Sequence, residues 1–365
     1  MEPPRPHRVP REYGDVSLMA EYFLRRILIM LPTFLGITLV IFVVINLAPG
    51  GPIDQLLQEI RFGAAAGGGL GPAAGAGGAS HEGVSEEIIR ELKRQYGFDK
   101  PLLVRYGIWL ANLARLDFGR SFVHEQPVIG VIVSKFPVSL QFGLISFIVT
   151  YLVCIPLGIG KAVYDGTPFD TSTSALVFVG YSISPVMLGI LLIVLFGGGS
   201  FLDWFPISGT TSDLHETLPF WGKAWDRAHH FVLPLICYLI GNFATLTLLM
   251  KNSILEEIGK AYVVTARSKG LPERTVFSRH VLRNALIPVA TGLGAFLSVF
   301  FAGNLFIEQI FALDGMGLLF YQSLLARDYP VILGLLSITS LILIVGNLIS
   351  DFLYILVDPR IDFGR

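Results

Sequence analysis

The apolar positions of this chain are gathered into long blocks. Six stretches, Ile27–Ala48, Pro137–Gly160, Ser174–Gly199, Phe231–Met250, Ala285–Ile307 and Val331–Ser350, contain no Asp, Glu, Lys, Arg or His. About 20 consecutive apolar residues cross a bilayer as a helix, so the pattern predicts six membrane spans. Charges resume at the edges, at Arg26, Lys161, Lys251, Glu308 and Asp351. Proline and glycine recur inside the blocks, at Pro32, Gly36, Pro156, Pro185 and Gly294. Within a membrane bundle they are tolerated, because neighbouring helices re-satisfy the freed backbone groups. The first block follows a long polar segment and has no small-residue cleavage site after it, so it reads as a retained span rather than a leader.

Composition strengthens this picture. Hydrophobic residues make up 53% of the 365 residues and charged residues only 15%, against about 25% charged in a soluble domain. Such a chain cannot cover a water-facing surface, which argues against a soluble enzyme. The net charge of −1 offers no reason to expect nucleic-acid binding. Cys154 and Cys237 each stand alone in an apolar block and read as small buried hydrophobes.

Basic residues set the orientation. Arg5, Arg8, Arg11, Arg25 and Arg26 precede the first block. Lys251, Lys260, Arg267, Lys269, Arg274, Arg279 and Arg283 lie between the fourth and fifth. By parity both segments fall on one side, which the positive-inside rule makes cytoplasmic. The expectation is an all-α protein with six spans and both termini cytoplasmic: a 1–26 segment inside, a first span at 27–48, a 49–136 loop outside, spans two to six within 137–357, and a 358–365 tail inside. Trp204, Trp221 and Trp225 cluster in the loop after span three, where indoles favour the headgroup level and contact with membrane lipid.

Within the first outer loop, 64–80 is almost entirely Gly and Ala and reads as a flexible insert. Ser85–Tyr96 has the signature of a short helix, with Ser85 as its cap, Glu86 and Glu87 in its first turn and basic residues near its end. Pro101–Leu116 reads as a second, with Pro101 at its first position.

Several familiar chemistries are incomplete. Gly160-Lys161 is followed by Ala162, and Ile155 stands where a phosphate-binding loop needs Gly, so no nucleotide site is expected in this chain. His215-Glu216 meets Pro219 where a zinc-protease helix needs its second His. Gly180-Tyr181-Ser182 meets Ser184 where a nucleophile elbow needs Gly. His229-His230 reads as an interfacial pair rather than a metal site. The spans carry no ionisable group of the kind that ion-coupled transporters and voltage sensors use. Uphill transport by this chain would therefore draw its energy from another subunit. An intramembrane enzyme would need a polar catalytic pair within the spans, and an uncoupled channel subunit would leave the next segment without a purpose.

That segment, 251–284, is the most patterned polar stretch. Ser253-Ile254-Leu255-Glu256 has the form of a capping box, predicting a helix from there to Lys269 that Gly270 ends. Ile254, Ile258, Tyr262 and Ala266 would share one face, with Ala261 and Thr265 beside them. Leu271-Pro272-Glu273 would start a second, basic helix leading into span five. A rigid helix ending in small residues suits docking into a groove on a cytoplasmic partner.

Ala261-Tyr262-Val263-Val264-Thr265-Ala266-Arg267-Ser268-Lys269-Gly270, with Arg283-Asn284-Ala285-Leu286-Ile287-Pro288, resembles the EAA loop of ABC importer permeases, and in particular the oligopeptide/dipeptide branch. The generic Glu-Ala-Ala is here Val264-Thr265-Ala266. Tyr22 to Pro52, Tyr96-Gly97-Phe98-Asp99-Lys100-Pro101, Arg327-Asp328-Tyr329-Pro330 and Asp358-Pro359-Arg360-Ile361-Asp362 resemble the same branch. The Gly/Ala insert, Gly50-Gly51 and the ending Val357–Phe363 are most similar to the B-type permease of microcin C/oligopeptide importers. The resemblance implies a type I ABC importer permease fold in a bacterial inner membrane. It also implies half of a pore shared with a second, different permease, a cytoplasmic ABC ATPase and a periplasmic substrate-binding protein. The chain itself would bind no cofactor; ATP would be used by the partner. ATPase coupling would centre on Tyr262, Thr265, Ala266, Arg267 and Gly270. A peptide substrate is implied, with nickel or an oligosaccharide as the alternative for the same fold.

The orientation is open to direct test. In a chain lacking Cys154 and Cys237, Ser80→Cys should react with an impermeant thiol reagent from outside the cell and Ser278→Cys should not. Outside labelling of Ser278→Cys would refute the topology.

Overall fold

The computed structural model describes residues 12–47, 100–197, 201–290, 292 and 303–357. Every regular element among them is helical, apart from one isolated bridge between Arg120 and Pro127. In chain order these are α1 (Glu12–Leu47), α2 (Leu102–Ala114), α3 (Val128–Val163), α4 (Pro168–Ser182), α5 (Pro185–Phe196), a 3-10 turn (His215–Thr217), α6 (Phe220–Ile258) and α7 (Ala261–Ser268). A broken helical stretch follows, made of α8 (Glu273–Thr275), a π turn (Val276–Val281) and α9 (Leu282–Ala285). α10 (Leu305–Ile310), α11 (Met316–Leu325) and α12 (Tyr329–Val357) complete the set.

Four apolar helices are long enough to cross a membrane: Leu24–Leu47, Val128–Val163, Phe220–Ile258 and Tyr329–Phe352. They contain the second, fourth and sixth predicted spans and the first as far as Leu47. The third prediction is corrected. Instead of one continuous helix over Ser174–Gly199, α4 and α5 meet at a bend of 96°. Ile183 (ψ 125°) and Ser184 (ψ 133°) are extended at the break. Pro185 forces this, since its ring crowds the preceding residue out of the helical region, and it then starts α5 at a position where its missing N–H costs nothing. The middle of the fifth predicted span, 293–302, lies outside the described residues, as do the Gly/Ala insert, the Ser85–Tyr96 helix and the 358–365 tail.

The long helices extend beyond their apolar blocks. α3 starts at Val128 rather than Pro137, and α6 carries Trp221 and Trp225 in its first turns, both well exposed. The second predicted loop helix is present as α2, with Pro101 just before it rather than inside it. Arg26 and Asp351 form an ion pair at 2.5 Å, which sets the start of the α1 span beside the end of the α12 span.

The centre of the fold is the packing of α3 along α6. Ser146, Thr150, Cys154, Gly158 and Ala162 recur every four residues on α3, and all are buried. Such a ridge of small side chains lets two helix backbones approach closely, which matters in lipid, where tails are as apolar as leucine. Gly158 is the tightest point. A Cβ there would lie 2.6 Å from the Met250 Cβ and 2.9 Å from the Thr247 carbonyl oxygen. Cys154 and Cys237 are both buried and unpaired.

Two fully buried carboxylates hold the segment 303–328 that leads into α12. Glu308 accepts from Ser139 Oγ on α3 at 2.8 Å and from the Leu318 amide at 2.9 Å. Asp328 accepts from Ser121 Oγ at 2.5 Å and from the Phe122 and Val123 amides at 3.2 and 3.3 Å. Glu308 is thus not the exposed edge charge that its place in the sequence suggests.

Gly158→Ala should destabilise the detergent-solubilised chain by about 1–3 kcal/mol, through overpacking against α6. Gly241→Ala, where a Cβ meets nothing within 4 Å, should be neutral or slightly stabilising, because Ala favours helix. Thermal unfolding of the two variants would show whether the α3–α6 contact has this role.

Candidate functional site

The site predicted from the sequence lies where α6 ends. α6 runs unbroken through Ser253, which is buried inside the helix and caps nothing. The capping-box expectation is therefore corrected: the long helix needs no new start at 253, and the chain turns instead at Gly259-Lys260. α7 then begins at Ala261 with Lys260 in the extended cap position. The single face expected for Ile254, Ile258, Tyr262 and Ala266 is split by that turn, and Ile254 belongs to α6.

α7 is fastened to its own protein on one side. Val263 is fully buried and Ala266 is 6% exposed. Both join a cluster with Met250 and Ile254 of α6, Cys154 of α3, and Val276, Val281 and Ala285 beyond. Ala266 thus packs mainly inward, a direction that its small size alone did not reveal. Tyr262 is held at its hydroxyl. It donates to the Glu257 carboxylate and accepts from Asn284 Nδ2 at 2.9 Å, with the His280 carbonyl at 3.2 Å. Burial, with Glu257 beside it, pushes the phenol above its ordinary pKa, so it stays neutral and able to donate. Glu257 also takes Lys260 at 2.5 Å and holds that ammonium above its ordinary range.

The remaining predicted residues face outward. Thr265 is exposed and its hydroxyl bonds back to the Ala261 carbonyl at 3.0 Å. Arg267 forms a two-pronged pair with Glu273, at 2.8 and 3.2 Å, which pins α7 to the start of the following stretch. Gly270 ends α7 with φ +78°, a conformation that costs a residue with Cβ about 1 kcal/mol or more. Its amide donates to the Arg267 carbonyl at 2.9 Å, and among the described residues nothing beyond its chain neighbours lies within 4 Å of where a Cβ would be. Between α7 and 276–287 lies a cavity of about 1360 Å³. Tyr262, Thr265 and Ala266 line it; Arg267 and Gly270 do not.

Behind α7 is a charged knot that sequence reading missed. Lys161 of α3 is fully buried. Its ammonium reaches an Asp170 carboxylate oxygen and the Asp170 carbonyl, each at 3.0 Å, Ser174 Oγ at 2.5 Å and Thr173 Oγ1 at 3.1 Å. Lys251 of α6 takes the other Asp170 oxygen at 2.7 Å and Asp165 at 2.8 Å. Both lysines were visible only as charges at span edges. The signal available was the short, polar turn Tyr164–Ser174 that brings Asp165 and Asp170 back under them.

Asp226 in the second turn of α6 accepts from Nδ1 of His215, in the 3-10 turn before it, at 2.7 Å, and His230 of the same helix lies buried beside it at 3.5 Å. His229 instead lies against Phe205, with the ring centroids 5.0 Å apart and the planes tilted by 46°. Among the described residues no group of three or more His, Cys, Asp or Glu could hold a metal ion.

Residues 154–363, from mid-α3 onward, match the family described as binding-protein-dependent transport system inner membrane component. The chain belongs to this family. It is 47% identical to the peptidoglycan transport system permease protein YejB of Agrobacterium fabrum, over 95% of this chain and 99% of that one. It is 45% identical to the inner membrane ABC transporter permease protein YejB of Escherichia coli O157:H7, over 95% and 100%. It is 34% identical to the oligopeptide transport system permease protein AppB of Bacillus subtilis, over 94% and 100%. The chain is thus an inner-membrane permease subunit of an ABC importer, and the segment around α7 belongs to a transporter component rather than to an enzyme.

The knot predicts an asymmetric mutational response. Asp170→Ala strands the buried Lys161 ammonium and should cost about 3–5 kcal/mol. Lys161→Met with Asp170→Leu should cost clearly less, because neither charge is then left uncompensated. Asp165→Ala, at an exposed carboxylate, should stay within about 0.5 kcal/mol of the unaltered chain. Unfolding midpoints in detergent would rank the three.

Proposed function

We propose that this permease imports peptides, and that α7 with Gly270 is the element through which a separate ATPase subunit drives it. Gly270 carries the second part of the reading. It holds a positive φ at the exposed tip of a helix whose other side is fastened to α6 and α3, and no described residue beyond its chain neighbours fills the space where a Cβ would point. A rigid tip with free approach suits insertion into a partner's groove. Tyr262, Thr265 and Ala266 contribute from the adjoining cavity wall, and Arg267 keeps the tip in register through Glu273.

The substrate class rests on the relatives. Their names specify oligopeptides in one case and peptidoglycan, a peptide-bearing glycan, in another. Peptide is the chemistry these share, and microcin C-like modified peptides fall within it. A periplasmic binding protein selects the cargo and a second, different permease completes the pore. Nickel and free oligosaccharide share the fold as cargo but not the peptide chemistry of those names.

Uptake of a labelled oligopeptide by cells with the gene deleted, then complemented, tests both parts. The unaltered chain should restore uptake. Gly270→Asp should insert at normal levels yet lose most of the uptake and retain less ATPase on purification. Its intramolecular cost is only about 1 kcal/mol of backbone strain, with no clash inside the chain. Arg274→Ala should be milder. Full uptake and ATPase retention by Gly270→Asp would refute the docking role, and absence of peptide uptake by the unaltered chain would refute the substrate class.

A further inference from the structure

Seven cations lie between Lys251 and Arg283. The positive-inside rule accounts for their number but not for their placement. Three are neutralised within the fold: Lys251 by Asp165 and Asp170, Lys260 by Glu257 and Glu256, and Arg267 by Glu273. Lys269, Arg274, Arg279 and Arg283 remain exposed, with no acidic partner among the described residues. Three of these four border one space, the cavity between α7 and 276–287. Arg279 and Arg283 line it from the 276–287 side, and Lys269, just past the end of α7, lines it as well.

The cavity wall has one acidic group, Glu257, and it is already engaged by Lys260 and Tyr262. α7 contains no acidic residue. The wall is otherwise mixed, with Thr265, Ser278 and Asn284 offering hydrogen bonds and Leu271, Leu282 and Leu286 offering apolar contact. At about 1360 Å³ the space exceeds the roughly 300–1,000 Å³ of small-molecule sites. It is large enough for a polypeptide segment.

We propose that this cavity receives a carboxylate-bearing segment of the ATPase subunit, so that the contact is basic on the permease and acidic on the ATPase. The inference rests on the reading of α7 as the docking element and adds the chemistry of its partner. Tyr262, Thr265 and Ala266 are shared between the two, so the cavity is continuous with the docking surface. Exposed charges at such a rim act over about a Debye length, roughly 8–10 Å near physiological salt, and lose strength as salt rises. Binding polarised in this way is therefore salt-sensitive.

The test uses the complex in nanodiscs of zwitterionic lipid, with the co-purifying ATPase subunits stripped and added back. Combined Lys269→Gln, Arg279→Gln and Arg283→Gln should weaken rebinding about tenfold at low salt and bring little change at high salt. Four cations stay in the loop, preserving its inside signal. Each single substitution should weaken low-salt binding about twofold, which carries the test if the triple variant does not insert. Arg274→Gln, outside the cavity, should bind as the unaltered chain does. Equal weakening at low and high salt, or none, overturns the inference. So does an effect that appears only when anionic lipid is added to the discs, since the occupant is then a lipid headgroup. Cross-linking of Thr265→Cys to the ATPase tests the docking reading separately. A cross-link with an unaltered salt response leaves docking standing and removes the acidic partner; no cross-link overturns docking itself.

Discussion

The end of the helix bundle that leads into α7 depends on one shared carboxylate. Asp170 sits between Lys161 and Lys251, and through them three helices, α3, α4 and α6, are tied at a single point. Lys161 is fully buried, so its charge is tolerable only because oxygens from Asp170, Thr173 and Ser174 surround it. Such a group is a poor source of net stability, since desolvation offsets much of the attraction. What it supplies is definition: any displacement of one helix against the others would leave a buried charge unpaired.

This rigidity matters because α7 follows closely after Lys251. The helix that carries Gly270 is bound to α6 by Val263, Ala266 and the Tyr262–Glu257 contact, and α6 is bound to α3 by the small-residue ridge centred on Gly158. On the proposed reading, a force applied at the tip of α7 has no soft joint behind it. It reaches the α3–α6 pair directly. Coupling between sites needs an element whose position both sites bias, and a helix pair in contact over its length has that character.

The opposite end repeats the device with different atoms. Glu308 and Asp328 are both fully buried; a serine hydroxyl distant in sequence reaches each, joined at Asp328 by distant backbone amides and at Glu308 by the nearby Leu318 amide. Gly303 and Gly315 leave room for the Glu308 carboxylate, which a Cβ at either position would meet at 2.6 or 2.5 Å. The loop between α10 and α12 is thereby fixed to α3 and to the residues just before it. Charged residues that mark the limits of spans in the sequence become, at both ends, the fasteners between spans.

The sequence alone determined the class of the protein. Uncharged blocks of membrane-spanning length, basic segments of alternating placement and the Ala261–Gly270 pattern were legible because each is a local property: hydrocarbon excludes charge over about 20 residues, and a positive φ favours glycine at a helix end. The break at Pro185 was also local, and was available from the restriction a proline places on its predecessor. Tertiary structure decided the rest. Ser253 looks like a cap because Glu256 follows three residues later, yet α6 runs through it because its buried face is covered by α3 and α7. Ala266 looks free to meet a partner, yet it is buried in the cluster that α7 shares with α6 and α3. Lys161 and Glu308 look like solvated edges, yet each is sealed by partners that chain folding brings from other helices. Burial and pairing depend on what arrives from elsewhere in the chain, and no local pattern carries that information.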